Sequence, residues 1–350
     1  MTFLRRLLSL ALVQMAIEVA AVSILVILLQ SLLNIFPEAF LQSPFGDTLA
    51  NVCYACVIVG VLFLASRWLE HRSLADMGLP RKRWGRPLFL GFLCGGGLIA
   101  SVIVVLAITG GYHITGIQPL NAVQLVVLII ASGLLALLLW RNKGKRKLGF
   151  IHYLLFIAIG FGLLPIAAPL LLLLAAAIQE ELVFRGMIFR LLERALGSWI
   201  ALIISALAFG ILHSTNPGAT LVSTLAVALT SGVVMVAIYL LTRNLWWVIG
   251  LHLGWNFFEG PFFGAQVSGH ATYGGFFSAS ITGQEVWTGG AFGPEAGLVA
   301  IFIVCMVGFL LCIRAAQQHR IVKPTWRQQA SQAAQSEVTE EGVEEQQSKL

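Results

Sequence analysis

The chain repeatedly runs through about 20 consecutive apolar residues, the length a helix needs to cross a bilayer. Backbone polar groups in lipid must find partners within their own segment. A chain built this way is therefore a bundle of transmembrane helices. Composition agrees: 58% of the 350 residues are hydrophobic and 11% charged, with mean hydropathy +0.88, against about a quarter charged in soluble domains. The net charge of +6 sits in short loops, where it reports topology rather than nucleic-acid binding.

Apolar runs predict spans at about residues 9–35, 50–66, 87–109, 121–140, 149–164, 167–192, 197–213, 219–241, 245–259 and 297–314. Under this count the basic loops all fall on one side: Arg67 to Arg86, Arg141 to Lys147, Arg190 with Arg194, Arg243, and the residues from Arg314 onward. The fold class is all-α, a polytopic bundle of about 8–10 spans, the least secure division being that between the fifth and sixth. Both termini are expected in the cytoplasm of a bacterial-type cell membrane. The first run follows Arg5-Arg6 like a signal peptide but lacks a clean cleavage site, so it reads as an uncleaved span with Gln14 and Glu18 near an edge or facing the interior. Residues 1–320 form one membrane domain. Within it, 260–297 is a Gly- and aromatic-rich loop, too broken to be a span. Residues 321–350 have a tail composition that predicts disorder. All five cysteines lie in or beside apolar runs, so Cys53-x-x-Cys56 reads as small helix residues rather than a redox pair.

Three polar clusters interrupt the apolar helices. Gln179-Glu180-Glu181-Leu-Val-Phe-Arg185-Gly186 follows a run, Leu170 to Ile178, that contains nothing polar. Glu181 and Arg185 are four apart and share a helix face. Glu180 is rotated about 100° away and has no charge partner in its own helix. The bland reading is that both acids anchor a helix at the membrane edge. Phe209-x-x-x-His213 and His252-x-x-x-Asn256 weaken that reading, because intramembrane polar residues usually face the bundle interior and find one another. Converging, a glutamate, two histidines and an asparagine can activate water, with Glu180 as general base and Asn256 donating to an oxyanion. They can equally bind zinc or another divalent metal through Glu180, His213 and His252. There is no His-Glu-x-x-His.

The ordered set EExxxR, FxxxH, HxxxN resembles the CPBP intramembrane proteases, the CAAX prenyl proteases and bacteriocin-processing enzymes also called the Abi family. The resemblance is firm over about residues 170–260. Leu74-Ala-Asp-Met-Gly-Leu79 and Thr288-Gly-Gly-Ala-Phe-Gly-Pro-Glu295 also look like flanks of bacterial members. It implies a hydrolase cleaving a peptide bond in a membrane-associated or prenylated substrate. By that resemblance Glu180 activates water, Glu181 and Arg185 support the motif, His213 and His252 orient the water or bind metal, and Asn256 stabilises the oxyanion. Whether a metal is used stays open. So does geometry: the spans put His213 near the outer face and Glu180 nearer the middle.

Two other classes compete. A proton-coupled transporter would also use intramembrane Glu and His, but there is no second copy of the clusters. A non-catalytic immunity or scaffold protein would keep the fold. Trp246, Trp247 and Trp255 read as packing or interfacial aromatics, His270 as an exposed loop residue, and Arg81-Lys82-Arg83 as a topology signal compatible with anionic lipid contact.

Overall fold

The computed structural model describes residues 10–118, 126–127, 129–135, 137, 167, 169–271 and 275–325. The expected span at 149–164, the loop Arg141 to Lys147, half of the span at 121–140 and the tail from 326 lie outside the described residues. The described chain forms helices α1 (Ala11–Leu33), α2 (Pro44–Leu64, continued by a widened turn at Ala65–Leu69), α3 (Gly85–Ile108), α4 (169–196), α5 (Ser198–Leu212), α6 (Leu221–Thr242), α7 (Leu245–Phe257, continued by a π-type turn at Phe258–Phe262) and α8 (Leu298–Gln317). Among the described residues, α1, α2, α3, α5, α6 and α8 are each long and apolar enough to cross a membrane. The protein is an integral membrane helix bundle.

Its burial pattern suits lipid. α1 buries Gln14 and Glu18 while Ile24, Ile27 and Leu28 point outward, and on α8 Phe302, Phe309 and Leu310 are exposed. In lipid, association depends on close packing rather than on a hydrophobic drive. The tightest pair is α3 with α7, where glycines interlock. A Cβ on Gly91 or Gly95 would lie 2.4 or 2.0 Å from the carbonyl oxygens of Trp247 and Leu251. One on Gly250 or Gly254 would lie 2.1 or 2.0 Å from those of Leu88 and Phe92. Both helices thus carry a small-xxx-small face, and this contact fixes the helix that bears His252.

The basic loops meet at one end. Glu70, just past α2, takes Arg190 at 2.5 Å and Arg194 at 3.0 Å from α4. Glu193 pairs with Arg243 and accepts from Ser198 at 2.5 Å. The segment at 74–79 docks here too, the Gly78 carbonyl accepting from Leu245 N at 2.7 Å. The expected tail is not loose from its start: Val322 exchanges hydrogen bonds with Ser198 at 2.8 and 3.0 Å, and Thr325 Oγ1 donates to Ala195 O at 2.9 Å. Gly197, at φ 79°, makes the one-residue turn between α4 and α5 and lets the Val322–Pro324 strip lie against it.

The Gly- and aromatic-rich stretch is more than a loop. β1 (Tyr112–Ile117) and β2 (Phe277–Ile281) pair antiparallel, Tyr112 opposite Ile281 and Ile117 opposite Phe277, with a bulge between Ile114 and Gly116. The two strands are far apart in sequence and lack a hairpin turn, the strongest local strand signal. Tyr112 donates its hydroxyl to Phe263 O at 2.7 Å, tying this small sheet to the end of α7.

Candidate active site

α4, α5 and α7 carry the three polar clusters and bring them together. Glu180 and His213 lie almost the same number of residues either side of the Gly197 turn, and the hairpin formed there sets them level, 3.8 Å apart. The apparent mismatch in depth between them therefore disappears. His213 closes α5 in a tight turn (His213–Thr215), and its Nδ1 donates to Phe209 O at 2.8 Å. A carbonyl only accepts, so the proton sits on Nδ1 and a neutral ring turns its Nε2 lone pair towards Glu180.

His252 is fixed in the same sense by a different partner. Its Nδ1 donates to Glu181 Oε1 at 2.8 Å, and the same oxygen takes Arg185 Nη1 at 3.0 Å. Glu181 and Arg185 are fully buried. Arg185 also donates to the carbonyls of Ser231 and Gly232 at 2.9 and 3.4 Å, where α6 widens into a π-type turn at Ala228–Gly232. Its guanidinium lies 4.4 Å from the centre of the Phe209 ring. A buried pair without such extra partners would lose more to desolvation than it gains.

What remains at the centre is a set of acceptors. Glu180 Oε2 lies 3.8 Å from His213 Nε2 and 3.9 Å from His252 Nε2, and it has no hydrogen-bond partner. With both rings neutral, two imidazole lone pairs and a carboxylate oxygen face each other and need a donor between them, and water supplies two. They sit in a cavity of about 360 Å³ also lined by Asn256, one helical turn beyond His252. Asn256 makes no hydrogen bond with another described residue. The exposed His270 and Ala271, with Asn216 and Asp47, border the cavity at the end of the bundle away from the basic loops.

Glu180, His213 and His252 are suitable donor types for zinc. Their 3.8 and 3.9 Å separations are wider than the roughly 3.3 Å edge of a tetrahedron with bonds of about 2.0 Å. Among the described residues, no group of three or more His, Cys, Asp or Glu side chains is compact enough to hold a metal ion. These separations leave room for a water between the three groups.

The structure adds contacts and roles that spacing alone did not give. Phe209, the first letter of the second motif, stacks under Arg185, packs edge-on to Phe184 at 5.0 Å and touches the His213 ring at 4.7 Å. Gln179 donates to Asn51 O and Oδ1 at 3.0 and 3.1 Å, holding α4 to α2 at the cavity. Behind Asn256 lies a second buried carboxylate pair. Glu259 accepts from Trp255 Nε1 at 2.8 Å and from Glu295 N at 3.2 Å, while Glu295 accepts from Ser268 Oγ at 2.5 Å. Burial pushes the Glu295 carboxyl above its ordinary range. Asn216 Nδ2 donates to Ser268 O at 2.9 Å, so this cluster pins the loops at 264–271 and 293–297 over the site. Glu259 was detectable by the same rule that flagged Glu180, a carboxylate inside an apolar helix. Trp255, read as a packing aromatic, is buried and serves that carboxylate.

Residues 162–258 match the family model described as Rce1-like, Type II CAAX prenyl endopeptidase Rce1-like. No curated protein and no solved structure matches the chain. The matched stretch contains all three motifs and every side chain that meets at Glu180. The motif-bearing core of this membrane protein is thus similar to the type II CAAX prenyl endopeptidase Rce1-like family, the group its motifs resemble.

Proposed function

We propose that this protein is an active intramembrane endopeptidase in which Glu180 deprotonates the attacking water. The observation that carries this reading is the convergence of Glu180 Oε2 with the Nε2 atoms of His213 and His252 at 3.8 and 3.9 Å. A water there donates to the carboxylate and is aimed by the two imidazoles. Its oxygen attacks the carbonyl carbon of the scissile peptide and Glu180 takes its proton. Asn256 donates to the oxyanion that forms, an interaction that strengthens as charge develops. Collapse of the tetrahedral intermediate breaks the C–N bond, and the proton held by Glu180 passes to the leaving amine. Glu181 and Arg185 do not touch the substrate; they aim His252.

The substrate is a membrane-associated peptide segment, a prenylated tail being one such class, and it enters at the end bordered by Asn216 and His270. The basic end, with both termini, lies on the cytoplasmic side of a bacterial-type cell membrane. Peptide profiling of membranes carrying wild-type or Glu180→Ala protein tests the mechanism. Products present with wild type and missing with the variant are expected; the same products from both, at equal protein level, would sink it.

A further inference from the structure

A second cavity, of about 700 Å³, lies at the basic end of the bundle. Arg67, His71, Arg72, Arg81 and Lys82 line it, with no acid among the lining residues. The two acids of this stretch are engaged elsewhere. Glu70 turns inward to Arg190 and Arg194, and Asp76, although within electrostatic reach of Arg72, is held by Ser73, accepting from its N and Oγ at 3.1 and 2.6 Å. Among the described residues, the side chains of Arg67, Arg72, Arg81 and Lys82 make no hydrogen bond or ion pair.

A topology signal needs basic residues in a loop but needs no hollow among them. Here the cations converge on one, and its remaining wall combines apolar Phe63, Leu74 and Leu79 with the hydroxyls of Ser66 and Ser73. The level in the membrane is marked by Trp68 and Trp84, 71% and 49% exposed, which flank the end of α2 and the start of α3 as interfacial aromatics do. We propose that this cavity binds the phosphate-bearing headgroup of an anionic membrane lipid, its acyl chains running along Phe63 beside α2. The stretch that supplies Arg81 and Lys82 also holds the start of α7, through Gly78 O with Leu245 N at 2.7 Å and Pro80 O with Trp246 Nε1 at 3.2 Å. A bound headgroup therefore braces the helix that carries His252.

The full-length protein, purified in neutral detergent, is titrated with phosphatidylglycerol, phosphatidylcholine or inorganic phosphate, and bound adducts are counted by native mass spectrometry. Preferential retention of phosphatidylglycerol is expected. Retention should fall about fivefold for each cation removed in Arg72→Gln and Arg81→Gln, and stay unchanged in Arg83→Gln, which is in the same loop but off the cavity. Both cavity side chains are exposed and unpaired, and a matching melting curve checks that the variants fold. Equal retention of the two lipids, or an equal loss in Arg83→Gln, would overturn the site in favour of diffuse surface charge. Displacement of the lipid by inorganic phosphate at equal concentration would assign the cavity to a soluble anion instead.

Discussion

His252 Nδ1 lies 2.8 Å from Glu181 Oε1, and that oxygen lies 3.0 Å from Arg185 Nη1. The second glutamate of the motif is thus a buried, compensated carboxylate whose task is to hold the histidine of another helix. Glu181→Gln is expected to lower turnover by about 100-fold or more, the scale of a lost acid–base alignment, and to leave the Glu180 side of the site in place. Arg185→Ala should act differently. Glu181→Gln leaves Arg185 its carbonyl partners Ser231 and Gly232 and the Phe209 ring, whereas Arg185→Ala strands a buried carboxylate with only His252 and should cost about 3–5 kcal/mol of stability. Turnover and thermal unfolding, measured side by side, separate the two; equal effects on both readouts would refute the division.

The Asn256 side chain borders the cavity and, among the described residues, makes no hydrogen bond. Asn256→Ala should therefore leave the melting temperature unchanged while reducing kcat by about 10²–10³, as loss of one oxyanion donor does, with little change in KM. An effect confined to KM would place Asn256 in ground-state binding instead.

Turnover is expected to survive dialysis against a divalent-metal chelator, because the donors around Glu180 are spaced for water. Loss of activity on chelation, restored by zinc, would reverse that expectation.

The glycine contact between α3 and α7 gives a prediction at a distance from the chemistry. Gly95→Ala puts a methyl 2.0 Å from Leu251 O, and α7 must shift. A loss of about 1–3 kcal/mol, typical of overpacking, should come with reduced turnover because His252 moves with its helix. Gly97→Ala, whose added Cβ would meet nothing within 4 Å, is the control and should do neither.

At the basic end, burial pushes Glu70 up, but its bonds to Arg190 prevail and hold its carboxyl below the usual range, with Arg194 and Glu18 also facing it. A lowered folded-state value means the contribution is present above the ordinary carboxylate pKa and is lost as pH falls through the folded one. Thermal stability should decline with acidification below the carboxylate range. Glu70→Gln should be less stable at neutral pH and show a flatter acid limb. An acid limb identical to wild type would remove Glu70 from the account.

The sequence by itself determined the membrane-spanning class, the position of most described helices, the end at which the basic loops gather and the candidate residues Glu180, Glu181, Arg185, His213, His252 and Asn256. These are one-dimensional properties. Hydrocarbon tolerates a helix only if about 20 residues are apolar, so each polar exception stands out, and an i,i+4 spacing already joins Glu181 to Arg185. Tertiary structure decided the rest. That Glu180 faces both imidazoles depends on the level set by the Gly197 turn and on the α3–α7 glycine contact, neither of which a motif encodes. β1 and β2 find each other across nearly half of the chain with no local turn to announce them. Phe209 stood in the FxxxH motif without a role of its own until Arg185 lay over it, and Glu295 became a buried acid only once its loop folded back onto Glu259. Spacing along one helix fixes which side chains share a face; which faces meet is settled by packing between helices, and the candidate site lies where three of those faces meet.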